Sequence, residues 1–158
     1  MTVQQQIEAF LSGTPHAVVG ASQDRNKYGN KVLRAYLQRQ RAVHPINPSA
    51  AVVEGLSAYP DLASLPETVH GLSIVTPPHV TEQVVAQAAR LGVRHVWMQP
   101  GAESDRAVEL AQQAGMNVIW GGPCILVTLG FHEEGPRTDG TDGNSAQSGR
   151  DASSFPGG

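Results

Sequence analysis

One pattern limits what this chain can fold into: a short apolar run, a turn bearing glycine or proline, then a helix-length amphipathic stretch, repeated along the sequence. "HAVVG" (16–20) precedes a helix over Asn30–Leu37, whose apolar face is Val32, Leu33, Tyr36 and Leu37. "GLSIVT" (71–76) leads into a helix from His79 to Leu91, ended by Gly92. "RHVWMQ" (94–99) is followed by a helix over Glu103–Ala114, ended by Gly115, and "NVIWG" (117–121) is the last strand. "AVHPIN" (42–47) reads as the second strand, and "GLSAYPDLASLP" (55–66) as a weak third strand with one helical turn. Strands joined by helices of this length pair in parallel through right-handed crossovers. The pattern predicts an α/β fold: a doubly wound, mostly parallel sheet of five or six strands with helices on both faces.

The ends of the chain differ from this body. Thr2 and Gln5 have capping-box spacing, and Val3, Ile7, Phe10 and Leu11 recur at helical intervals, so a short helix opens the chain and ends at Gly13 and Pro15. Residues 133–158 are rich in glycine, serine, aspartate and proline, too polar to offset the entropy of ordering them, and are expected to form a disordered tail. That leaves one domain, residues 1–132. Nothing resembles a signal peptide or a bilayer-length apolar run, which points to a cytoplasmic protein without membrane partners. A net charge of −3 gives no global attraction to nucleic acid.

Charge is nevertheless concentrated. Arg25, Lys27, Lys31, Arg34, Arg39 and Arg41 fall between residues 24 and 41, where Asp24 is the sole acid. In an open parallel sheet, ligands bind beyond the carboxyl ends of the strands where strand order reverses, which places the loop after the first strand at the site. Gly20 and Gly29 let backbone amides approach an anion, and the helix that follows presents its positive end. Ser22, Arg25, Lys27 and Asn30 add donors. The spacing is not G-x-G-x-x-G. A reader of the NAD ribose carries Asp or Glu about 20 residues past the glycines. Here the second strand ends "HPINPS", with Asn47 and Pro48 in that place. A ribose carrying a phosphate suits such an end better than ordinary NAD does.

The ordered set "VVGAS", "YGNKVLRAYL", "HPINP", "IVTPPHVTEQVVAQAARLGVRHVWMQPG" and "GMNVIWGGPC" resembles small stand-alone CoA-binding proteins. Their Rossmann-like domain is similar to the N-terminal domain of the succinyl-CoA synthetase alpha subunit, and the resemblance covers roughly residues 10–130. It implies coenzyme A as the cofactor, held non-covalently. Gly20, Ala21 and Ser22 match the pyrophosphate loop, and Lys27, Tyr28, Gly29 and Asn30 its closing part. Asn47 and Pro48 match the segment near the ribose and 3′-phosphate. Thr76, Pro77, Pro78 and Val80 match the turn that packs on the adenosine, and Gln99, Pro100 and Gly101 the turn after the next strand. Arg25-Asn26-Lys27 lacks the proline common in this loop.

No catalytic constellation accompanies these motifs. The synthetase's phosphorylated histidine comes from a second domain that has no counterpart here, and the six histidines show no H-x-x-x-H or H-E-x-x-H spacing. No metal site is expected. Cys124, the single cysteine, excludes an intramolecular disulfide. It reads either as a small packed residue or as a thiol near the ligand edge, where coenzyme A would present its own. Trp97 and Trp120 read as core residues. The expected function is a single-domain carrier, sensor or accessory protein for CoA or acyl-CoA, its partner an acyl-CoA-using protein. The alternatives are an NAD(P)-binding oxidoreductase and a nucleotide-sensing regulatory domain.

Overall fold

A computed structural model describes residues 1–133; the predicted tail from residue 134 onward lies outside the described residues. Helix α1 (Val3–Leu11) starts at the expected capping box: the Gln5 amide donates to Thr2 Oγ1 at 3.1 Å, and the Thr2 amide donates to Gln5 Oε1 at 2.9 Å. Then follow β1 (His16–Val19), α2 (Tyr28–Gln38) and β2 (Val43–Ile46). A hairpin of β3 (Val52–Val53) and β4 (Leu56–Ser57) leads through a single 3-10 turn (Leu62–Ser64) to β5 (Gly71–Ile74). The rest is α3 (Pro78–Arg90), β6 (His95–Met98), α4 (Asp105–Gln113), β7 (Asn117–Ile119) and α5 (Ile125–Thr128).

The main sheet has five strands, all parallel, in the order β2-β1-β5-β6-β7. The weak strand expected in 55–66 is not a sixth member. Its Leu56 and Ser57 pair antiparallel with Val53 and Val52, and only the isolated bridge Ile46–Tyr59 ties the following chain to β2. Pro45 is tolerated because β2 is an edge strand, where a missing N–H breaks no interior ladder.

Side chains alternate across the sheet as its pleat requires. Ala17, Val19, Leu72, Ile74, Val96 and Met98 face one layer, packed on Val85 and Ala88 of α3 and Ala107 and Ala111 of α4. Val18, Trp97 and Ile119 face the other, against Phe10 of α1, Leu33 and Tyr36 of α2 and Ile125 of α5. Trp97 is fully buried, and its indole donates to the Pro123 carbonyl at 3.0 Å. Trp120 departs from expectation: it follows the end of β7 at the sheet's edge and is 44% exposed.

Strand order places the site. From β1 the chain crosses to β2 on one side and returns to β5 on the other, so the connections after β1 and β5 diverge, and this topological switch point, bordered by Gly20 and Thr76, is where open α/β sheets form a ligand crevice.

Candidate functional site

The crevice is built by close backbone packing. Gly20 has φ +95°, and a Cβ placed there would lie 2.0 Å from the Val75 carbonyl oxygen. A Cβ on Gly29 would lie 1.9 Å from the Gly20 carbonyl oxygen. Only glycine at both positions lets α2 begin directly over the end of β1 with the start of the β5–α3 turn against it. Helix α2 starts two residues earlier than its apolar periodicity suggests, at Tyr28, because Lys27 serves as an extended N-cap. No side chain caps this end and no acid occupies its first turn, so amides of that turn remain available to an outside anion.

Between Gly20 and Lys27 the loop is held by local turns. Ser22 Oγ accepts from the Asp24 amide at 3.0 Å, Asp24 Oδ1 accepts from the Asn26 amide at 2.9 Å, and the Lys27 amide donates to the Asp24 carbonyl at 3.0 Å. In this bond the Ser22 hydroxyl is the acceptor, so its own hydrogen is not used by it. Lys27 is exposed at the helix end, and Ala21 is buried beneath the loop.

Several of the expected donors brace the site from within. Asn30 is fully buried; its Nδ2 donates to the Ser22 carbonyl (2.8 Å) and to Glu54 Oε2 (2.9 Å), and its Oδ1 accepts from Arg34 Nε (2.6 Å). Arg34, one helical turn on and only 4% exposed, also donates to the Arg25 carbonyl and pairs with Glu133. Arg25 itself pairs with Glu54 at 3.3 Å. Asn47 Nδ2 donates to the Ala21 carbonyl at 2.8 Å while its Oδ1 accepts from the amides of Ser49 and Ala50, leaving exposed Pro48 as the outer surface there.

Across the crevice, Pro77 and Pro78 are exposed at the start of α3, where proline costs no helix hydrogen bond. Thr76 is pinned through Thr81, their hydroxyls 2.7 Å apart, and Val80 is half-buried behind the prolines. Farther along, Gln99 is fully buried, its Oε1 accepting from Tyr28 Oη at 3.3 Å and from the Ile125 amide at 2.9 Å. Gly101 has φ +97°, and its amide donates to Glu103 Oε1 at 2.9 Å, so that donor is already used. Tyr28 also meets Cys124 Sγ at 2.7 Å. Burial first, and then the hydrogen bond to Cys124, push the Tyr28 phenol well above its ordinary pKa, so it stays protonated.

The family profile described as CoA binding domain matches residues 15–130, a span that holds the whole crevice. The chain belongs to this CoA-binding domain family. Among its relatives, the alpha subunit of an ADP-forming acetate–CoA ligase II from Pyrococcus furiosus is 29% identical over 137 residues, which cover 80% of this chain and 30% of the ligase subunit. The chain thus spans under a third of that relative's length. Among solved structures, a conserved hypothetical protein from Pyrococcus furiosus has 37% identity and a TM-score of 0.70, with 73% of this chain and 99% of that one covered. A dinucleotide-forming acetyl-coenzyme A synthetase 1 from Ca. Korarchaeum cryptofilum has 30% identity and a TM-score of 0.62, with 71% of this chain and 27% of that one covered.

Two features of this CoA-binding domain escaped the sequence reading. The first is Glu54, which with Gly55 forms the tip of the β3–β4 hairpin at φ +50° and +79°. That primed-turn geometry folds the hairpin back, so that Glu54 reaches Asn30 and Arg25. The signal was a two-residue turn, Glu-Gly, between Val52-Val53 and Leu56-Ser57. The second is the Tyr28–Cys124 contact, which joins residues 96 positions apart and leaves no local trace.

Proposed function

We propose that the chain binds coenzyme A or an acyl-CoA non-covalently in this crevice and serves as a single-domain carrier, sensor or accessory protein for a separate acyl-CoA-using protein, without catalytic machinery of its own. The carrying observation is the double-glycine cradle: Gly20 and Gly29 allow no Cβ, and the uncapped, acid-free first turn of α2 stands directly above them. In this reading the amides of that turn, the Ser22 hydroxyl and Lys27 hold the pyrophosphate. Asn47 and Pro48 border the ribose and its 3′-phosphate, and Pro77 and Pro78 offer the adenine a rigid apolar face with no N–H left unsatisfied. The matched relative's own name, a CoA ligase subunit, supports the ligand class.

Three of the six histidines, His16, His70 and His95, support the non-catalytic part. His16 Nε2 is 2.8 Å from the Phe10 carbonyl oxygen, His70 is held by the Ala9 carbonyl and His95 by Asn117. All three sit at the amino-terminal ends of their strands or in the turn before one, away from the crevice. No helix among the described residues is long and apolar enough to cross a membrane, in keeping with a cytoplasmic role. Calorimetric titration with CoA, acetyl-CoA, NADH and NADPH tests the proposal. Saturable heats with the two CoA species and none with NADH are expected; binding of either nicotinamide nucleotide with silence toward CoA would overturn it.

A further inference from the structure

One cluster at the carboxyl edge is not needed to hold phosphates. Cys124 is half-buried at the start of α5, with Sγ 2.7 Å from the Tyr28 hydroxyl. Tyr28 is the first residue of α2, so a single side chain runs from the phosphate cradle to the thiol. Its hydroxyl also donates to Gln99 Oε1, and the other end of that carboxamide, Nε2, is buried without any hydrogen-bond partner. Gln99 has no exposed surface, and a buried donor left unpaired is costly. Both ends of a carboxamide hang from one carbon, so the unpaired Nε2 lies within one carboxamide's width of the oxygen that the Tyr28 hydroxyl reaches.

The pantetheine arm of a CoA-type nucleotide has the matching chemistry: amide carbonyls along its length and a thiol at its end. It is also longer than the tyrosine side chain that already spans from cradle to Sγ. We propose that Cys124 is a reversible covalent capture site for the thiol arm of a bound CoA-type nucleotide, with Gln99 Nε2 donating to a carbonyl of the arm. This rests on the CoA-binding reading above.

The step is thiol–disulfide exchange with the disulfide form of the cofactor. The Cys124 thiolate attacks one sulfur of CoA disulfide, the S–S bond breaks, a new bond joins Sγ to the bound CoA, and the second CoA leaves as a thiolate that takes up a proton. No other oxidant is required. Tyr28 fits this exchange. While Cys124 is a thiol, S–H can donate to Oη and Oη–H to Gln99 Oε1; once the thiolate forms, Oη–H can turn to it. Tyr28 is a positioning residue, acting through the sulfur.

Intact-mass kinetics on the reduced protein, freed of reductant, tests the proposal with three disulfides: CoA disulfide, pantethine (the arm without its nucleotide) and oxidised glutathione. The expected result is one CoA added, removed by dithiothreitol, absent in Cys124→Ser, and formed at least tenfold faster than either other adduct, because the nucleotide is already docked. A CoA analogue lacking sulfur should slow the CoA disulfide reaction by occupying the cradle. Tyr28→Phe should lower the rate advantage of CoA disulfide over oxidised glutathione, a ratio that a purely packing role would not move. Calorimetry with CoA under reducing conditions separates the two claims. Heat with no adduct, or equal rates with all three disulfides, overturns capture and leaves CoA binding standing. Absence of heat overturns the binding reading itself.

Discussion

Three glycine-to-alanine substitutions separate the two reasons the cradle needs glycine. At Gly55 a Cβ meets nothing within 4 Å, so Gly55→Ala bears only the cost of φ +79°, roughly 1–2 kcal/mol. Gly29 is the reverse: its φ is helical, and alanine would gain about 1 kcal/mol of helix propensity over glycine. Its added Cβ, however, lands 1.9 Å from the Gly20 carbonyl oxygen, a backbone atom that cannot swing aside. Overpacking of this kind costs about 1–3 kcal/mol and occasionally more, so a net loss is expected despite the better propensity. Gly20→Ala suffers both effects, φ +95° and a contact of 2.0 Å with the Val75 carbonyl oxygen, for a combined loss of roughly 2–5 kcal/mol. Urea unfolding read by tryptophan fluorescence should show the largest loss for Gly20→Ala, with smaller losses for Gly55→Ala and Gly29→Ala. CoA titration should find Gly20→Ala and Gly29→Ala unable to bind even where they remain folded. A Gly29→Ala protein as stable as the parent and binding CoA normally would refute the close-packed cradle.

Three further outcomes follow from the structure. Burial, then the charge of Arg41 and the neighbouring His70 and His95, hold fully buried His16 at a pKa of about 4 against an ordinary 6.5, the Phe10 carbonyl opposing them only in part. Below 6.5 the unfolded chain takes the proton and the folded one refuses it, so the contribution is whole above pH 6.5 and drains away between 6.5 and 4; it amounts to about 3 kcal/mol. His16→Gln should therefore flatten the stability–pH curve in that window, and an unchanged slope would remove His16 as its source. Lys27→Ala should weaken CoA binding by roughly 1–2 kcal/mol and reduce its dependence on salt, as expected for an exposed cation whose field extends about 8 Å at physiological ionic strength; identical salt curves for the two proteins would take Lys27 out of the site. Asn30→Ala strips partners from Arg34 Nε, the Ser22 carbonyl and Glu54 at once, and a lowered urea midpoint corresponding to about 1–3 kcal/mol is expected, with parent-like unfolding as the contrary result.

Periodicity was enough to read the fold's frame, because short strands buried on both faces leave continuous apolar runs, and helices bearing Val32, Leu33 and Tyr36, or Val85 and Ala88, carry a visible stripe. Local chemistry also spoke plainly: Thr2 and Gln5 marked the first helix, and Gly20 and Gly29 marked the cradle. What could not be read was set by contacts between distant residues. The start of α2 was misplaced by two residues because Tyr28 and Gly29 belong to the helix through what lies beneath them, not through an apolar stripe. Leu56 and Ser57 were read as part of the sheet because two-residue strands have no period to distinguish a hairpin from an edge. Trp120 looked like a strand residue, but β7 ends at Ile119 and the ring emerges beyond it.

The basic cluster of the sequence has a structural role that its composition does not announce. Of the six cations between residues 25 and 41, Arg39 donates to the Leu129 carbonyl, Arg41 to the Leu11 carbonyl, and Lys31 and Arg34 both pair with Glu133. Arg25 is paired with Glu54. These groups tie α2 and its flanking residues to the segments around them, the hairpin tip, α1 and the chain after α5, and Glu54 and Glu133 offset part of their charge. Their density therefore reflects how heavily α2 is braced. On the proposed reading, a phosphate approaching Gly20 would meet chiefly oriented dipoles, the amides of the first turn of α2, with Lys27 beside them. Such donors are fixed before the ligand arrives and carry no side-chain entropy to lose, whereas a cluster of mobile lysines would have to be ordered by the ligand itself. The brace and the proposed binding site are thus one construction: Arg34 and Asn30 hold the Arg25 and Ser22 carbonyls, those carbonyls fix the loop, and the loop keeps the helix end open.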